Sequence, residues 1–173
     1  MFFEWIYPKY FCVIIEGTLN AFHEDDEVVL STFKFLAELV LNRNLRMRLQ
    51  MWSINDLVVF KETAKYVVQL LQLWDCFRKK HVKNDAYKEK WKHLKTMCQL
   101  YHNMIAGNYV NFAICEYYDD NIFSTLSQQI FTSITSCNFK ELTTYKKVHL
   151  TIFKVTARFV ENHLEIMFLK FDK

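Results

Sequence analysis

Among the residues that could do chemistry, Cys98 and His102 come first: they lie one helical turn apart, with His93 close by. A thiolate and an imidazole on one helix face could start a zinc site. Such a site needs three or four ligands, and no second cluster is spaced to complete this one. A buried thiol beside a helix-surface imidazole is the simpler reading. The strongest charge concentration runs Arg78, Lys79, Lys80, Lys83, Lys88, Lys90, Lys92, His93 and Lys95. It could touch phosphate or an acidic protein surface, or be a solvated turn with cations where a helix C-terminus favours them. Arg78, Lys79, Lys80, Lys83 and Lys88 are the candidate partner-binding residues. Tyr87 and Trp91, the aromatics a base would stack on, fall on a core stripe instead, which argues against nucleic acid. The acidic run Glu24, Asp25, Asp26, Glu27 reads as the cap of the following helix rather than a cation site. Glu16, Glu38, Glu62, Glu116, Glu161 and Glu165 are scattered singly, and no Ser, His and acid form a nucleophile motif, so catalysis is not expected.

Composition narrows the field further. The 173 residues are 51% hydrophobic and 17% aromatic, which excludes a disordered tail. With only 2 Gly and 1 Pro, neither phosphate-binding Gly-rich loop can be written, and no cofactor is expected. The net charge of +3 is a mild basic excess that does not itself call for nucleic acid. The 5 Cys are widely spaced, odd in number and without a C-x-x-C, as expected of reduced thiols in a cytosolic or nuclear protein. The N-terminus carries Glu4, Pro8 and Lys9 and does not read as a signal peptide. Thr96–Cys115 and Asn121–Phe139 lack Asp, Glu, Lys and Arg but are too polar to span a membrane, so a soluble chain without membrane insertion is expected.

The elements that must position these groups are helices. In Ser53–Lys80, Leu57, Phe60, Ala64, Val67, Leu71 and Trp74 form one stripe at helical spacing, and Tyr66, Leu70, Leu73 and Phe77 form a second. A helix with so wide an apolar arc needs neighbours on both flanks, as in a bundle or stacked array. Further helices are expected over Tyr7–Phe22, Val28–Asn42, Asp85–Ile105, Tyr109–Tyr118, Ile122–Ser136 and Thr143–Asn162, with one more beginning at Leu164. Asn42–Trp52 reads as a short frayed helix or ordered connector, and Asn138–Phe139 as a corner. The fold class is therefore all-α, an α-solenoid of HEAT-like antiparallel helix pairs with about eight helices. One helical-repeat segment is expected over 1–173, with approximate pairs 8–42, 54–105, 109–136 and 143–172.

Three strings carry a resemblance. KFLAELVLNR (Lys34 to Arg43) with Arg46 behind it, SINDLVVFKETAKYV (Ser53 to Val67) and GNYVNFAICEYYDDN (Gly107 to Asn121) resemble successive motifs from the middle of the exportin-7, or Ran-binding protein 16, family of the importin-β superfamily. Ile54, Asp56, Ala113 and Asp119 stand where that family favours Pro or Gly. The resemblance implies a solenoid section of a nuclear export receptor that shuttles between nucleus and cytoplasm. It also implies Ran-GTP, export cargo and nuclear pore proteins as partners, without assigning any contact to a particular position. The alternative, from the residues alone, is a stand-alone helical module that uses the basic 78–95 hairpin to contact nucleic acid or an acidic protein.

Overall fold

The computed structural model describes residues 7–41, 55–78, 86–107, 110–112, 115, 118 and 120–170. After a π-helical turn at Tyr7–Phe11, the described helices are α1 (Cys12–Ala21), α2 (Asp26–Val40), α3 (Asn55–Arg78), α4 (Ala86–Ala106), α5 (Ile122–Thr135), α6 (Phe139–Thr144) and α7 (Lys146–Lys170). No strand occurs among the described residues. Asn42–Trp52, the Ser53 cap and most of the expected 109–118 helix lie outside them.

Helix starts follow from local chemistry. The Asp25 carboxylate accepts from the backbone N–H groups of Glu27 (3.0 Å) and Val28 (3.1 Å), satisfying two donors that the first turn of α2 leaves open. The acidic run is thus a cap, as its position beside an apolar arc indicates. For α5 the capping carboxylate is Asp120, which accepts from Ile122 N–H at 3.1 Å; Asn121 makes no side-chain cap bond. The expected corner at Asn138–Phe139 is the start of a short helix, because Asn138 accepts from Lys140 N–H at 3.0 Å and caps α6. Tyr145 then breaks the helical path, and α7 begins at Lys146. The break expected after Asn162 is a kink at His163 (φ −140°, ψ 27°), and the helix resumes beyond it.

Helices adjacent in sequence are not the main neighbours in space. α1 packs on α3 and α3 on α5, forming one row; α2 packs on α4 and α4 on α7, forming a second. Contacts of α1 with α2, α2 with α3 and α5 with α7 join the rows. The chain alternates between two layers, so each interior helix has a neighbour before and after it, which is how an α-solenoid builds a continuous core. α3 shows the result: Val59, Phe60, Ala64, Val67 and Leu71 are buried, and so are Thr63, Tyr66 and Leu70 on its other flank. α4 is enclosed the same way, with Trp91, Leu94, Met97, Cys98, Leu100, Tyr101, Met104 and Ile105 all buried.

Candidate functional site

Each of the three candidate metal ligands has other surroundings. The Cys98 thiol is buried, which pushes its pKa up to about 12 and keeps it a neutral, unreactive core group. His93 is 3% exposed and turns towards the start of α2, its Nε2 lying 3.2 Å from the Asp26 carbonyl oxygen and 3.8 Å from the Asp26 carboxylate. His102 is half-buried beside Asn103, with Nδ1 3.4 Å from its Oδ1. No group of three His, Cys, Asp or Glu among the described residues could hold a metal ion. Two of the candidate carboxylates among the described residues are held by cations. Glu62 pairs with Lys65 at 2.8 Å and Glu161 with Arg158 at 3.4 Å, each within its own helix.

Of the candidate partner-binding residues, Arg78 ends α3 and Lys88 lies in the first turn of α4, while Lys79, Lys80 and Lys83 lie outside the described residues. Trp91 does belong to the core: its ring stacks on Tyr145, with centroids 5.5 Å apart.

Polar groups that periodicity could not assign tie helices together instead, both within the rows and between them. Thr18 and Thr32 hydroxyls meet at 3.2 Å between α1 and α2, beside Tyr66 of α3. Burial raises the Tyr66 phenol to about 12, and the two threonine hydroxyls partly oppose that rise. Asn103 of α4 donates through Nδ2 to the Ala37 carbonyl of α2 at 2.8 Å, while its Oδ1 accepts from Gln99 Nε2 at 2.9 Å. Tyr101 of α4 and Ser127 of α5 share a hydroxyl contact of 2.7 Å. Lys61 of α3 pairs with Asp120 at the head of α5. That hydrogen bond holds the aspartate pKa below its ordinary value and raises that of the lysine. At the α4–α5–α7 junction, Phe112, Phe123 and Phe159 surround His163, with ring centroids 4.9, 4.9 and 5.8 Å away.

The groups able to recognise something else lie on the outer faces. The π-helical turn exposes Tyr10 and α1 exposes Val13 and Ile14; α7 exposes Leu150, Phe153, Val160 and Leu164 on the side opposite its buried residues. Of the cations of α7, Lys146, Lys147 and Lys154 are exposed. Arg158 is half-buried there, and the apolar stripe accompanies the lysines. Its 3–4 spacing is legible in the sequence once the inner stripe has been set aside. The candidate site is therefore a set of surfaces. No described helix is long and apolar enough to cross a membrane.

No family model and no solved structure matches the chain. Curated relatives do. Exportin-7 of Dictyostelium discoideum is 32% identical over 147 residues, 85% of this chain and 14% of that protein. Ran-binding protein 17 of Mus musculus is 25% identical over 171 residues, and Ran-binding protein 16 of Drosophila melanogaster 21% over 167, each match covering 96% of this chain and 15% of the relative. The chain thus spans only 14–15% of the length of these relatives. Two-row helical architecture and sequence likeness along most of the chain converge, and what it matches is a segment of the exportin-7 and Ran-binding protein 16/17 family.

Proposed function

We propose that this chain works as a scaffold segment of a nuclear export receptor, part of an α-solenoid that supports Ran-GTP-dependent transport of protein cargo. The observation that carries this reading is the likeness to exportin-7 and the Ran-binding proteins over 85–96% of the chain. The alternation of helices between two rows supports it, because such an array offers long faces to protein partners and uses its buried polar groups to fix helix against helix. Its role is to hold shape and present surface, without a cofactor and without catalysis. Its partners on this reading are Ran-GTP, export cargo and nuclear pore proteins, met as the receptor moves between nucleus and cytoplasm. Arg78, Lys79, Lys80, Lys83 and Lys88, around the α3–α4 connection, would offer cations to an acidic partner surface.

A transplant tests the reading. In the Dictyostelium relative, the matching 147-residue stretch is deleted or replaced by this chain, and GTP-dependent cargo binding is measured. Deletion should abolish binding and replacement restore most of it. A folded chimera that binds no better than the deletion would refute the proposal.

A further inference from the structure

α4 and α7 run parallel, because Trp91 stacks on Tyr145 with centroids 5.5 Å apart and Tyr101 meets Phe159 at 6.4 Å further along both helices. The rings turned towards the first row fix which way the other side chains face. Tyr101 shares its hydroxyl contact with Ser127 of α5, and Phe159 lies 5.0 Å from Phe131 of α5. At about 100° per residue, Lys92 and Lys95 stand roughly 180° and 120° from Tyr101 around α4, and Lys147 and Lys154 roughly 120° and 140° from Phe159 around α7. All four lysines therefore sit on the outer side of the second row, with Lys92, Lys147 and Lys154 exposed and Lys95 half-buried. α4 already has α2 on one flank and α7 on the other, so further helices added to the row leave its outer side open.

This side carries one sign of charge. α4 has no Asp or Glu after Glu89, and α7 has none before Glu161. Among the described residues none of the four lysines joins a carboxylate in an ion pair, whereas Lys61, Lys65 and Arg158 each do. Lys146 and Lys147 also begin α7, whose first turn holds no acid, so they stand at the end of the helix dipole that repels cations. Neither local pairing nor the dipole accounts for this charge; a complementary surface would. Measured from the Trp91–Tyr145 stack at about 1.5 Å per residue, Lys92 and Lys147 lie within about 3 Å, Lys95 about 6 Å and Lys154 about 14 Å along the helices. Axes of packed helices stand about 8–10 Å apart. A patch of that size matches an extended segment of about four or five residues at about 3.3 Å each. Trp91 is buried and Tyr145 is stacked on it, so neither ring is available to a base, and the chemistry that fits is carboxylate.

We infer that the outer side of α4 and α7 is a docking surface for an acidic protein segment, whose Asp and Glu side chains meet Lys92, Lys95, Lys147 and Lys154. That the partner is a protein rests on the scaffold reading, to which this adds a place and a charge.

Fluorescence anisotropy of a labelled hexaglutamate peptide, titrated with the whole chain in about 50 mM NaCl, provides the test. Binding that weakens as salt rises is expected. Lys92→Glu combined with Lys147→Glu should weaken it at least about tenfold. The same change at Lys9 and Lys65, exposed before α1 and on α3, alters net charge equally and should cost no more than about threefold. A hexalysine peptide should in turn bind the Lys92→Glu, Lys147→Glu variant more tightly than it binds the parent, a gain that misfolding does not produce. Equal losses for the two pairs, no hexaglutamate binding by the parent, or tighter binding of a thymidylate hexamer than of hexaglutamate would overturn the inference, the last by making this side a nucleic-acid site. The titration uses this chain alone and the transplant reads cargo binding by its relative, so failure of one is distinguishable from failure of the other.

Discussion

Replacing Phe159 by Ala is the sharpest test of the two-row architecture. The ring is 0% exposed and lies where α4, α5 and α7 meet, with Tyr101, Phe123 and Phe131 centroids at 6.4, 6.4 and 5.0 Å. Truncating a fully buried Phe removes its transfer energy and leaves a cavity, for a typical loss of about 3–5 kcal/mol. The site can hardly collapse, since its walls belong to three separate helices, so about 4 kcal/mol is expected. Domains of this size have only about 5–15 kcal/mol of stability in all. With a urea dependence of about 2–3 kcal/mol per molar, the midpoint followed by circular dichroism at the helical band should fall by about 1.5 M. Phe153→Ala, one and a half turns away on the opposite side, is the control. Its ring touches His149 (centroids 4.5 Å apart) but is mostly in solvent, so at dilute concentration it should cost no more than about 0.5 kcal/mol. Equal losses for the two variants, or less than about 1 kcal/mol for Phe159→Ala, would show that α7 does not bury the side assigned to the α4–α5 junction.

His163 should make the fold acid-sensitive. Burial, reinforced by Arg158, holds its folded pKa below the ordinary 6.5, so its stabilising contribution is complete above 6.5 and is lost as pH falls towards the folded value. The urea midpoint should therefore drop between pH 7.5 and 5.5, and His163→Gln should flatten that drop; an unchanged pH profile would refute the assignment. Asp25→Ala removes the acceptor for two α2 amides and should cost about 1 kcal/mol in the same denaturation assay, with a loss below a few tenths counting against the cap. If the basic stretch meets an acidic surface, the triple variant Lys79→Ala, Lys80→Ala, Lys83→Ala should bind a polyglutamate peptide more weakly than the parent and with a shallower salt dependence. Equal affinity at every salt concentration would dismiss that contact.

Much of this molecule is legible one helix at a time. The spacing of Val29, Phe33, Leu36 and Val40, or of Trp91, Leu94, Cys98, Tyr101 and Ile105, identifies a helix and its buried side, because helical periodicity depends only on residues three and four apart. Even the double burial of α3 can be read that way, and so can the cap at Asp25. Arg78 to Lys88 stands out as a charge run for the same reason, although charge density alone names no partner.

Tertiary structure alone decided which helices became neighbours and therefore what each side chain meets. Asn103 reaches Ala37 across 66 residues, and His93 reaches Asp26 across 67, separations at which no local pattern operates. Lys61 and Asp120 became an ion pair because α3 and α5 share a row. The two stripes of α7 are equally apolar in sequence, but only the one facing α4 and α5 found cover, which left Leu150, Phe153 and Val160 in solvent. Local spacing sets the direction of every side chain around its helix axis; burial requires a second surface brought up from elsewhere in the chain, and that is a property of the assembled rows.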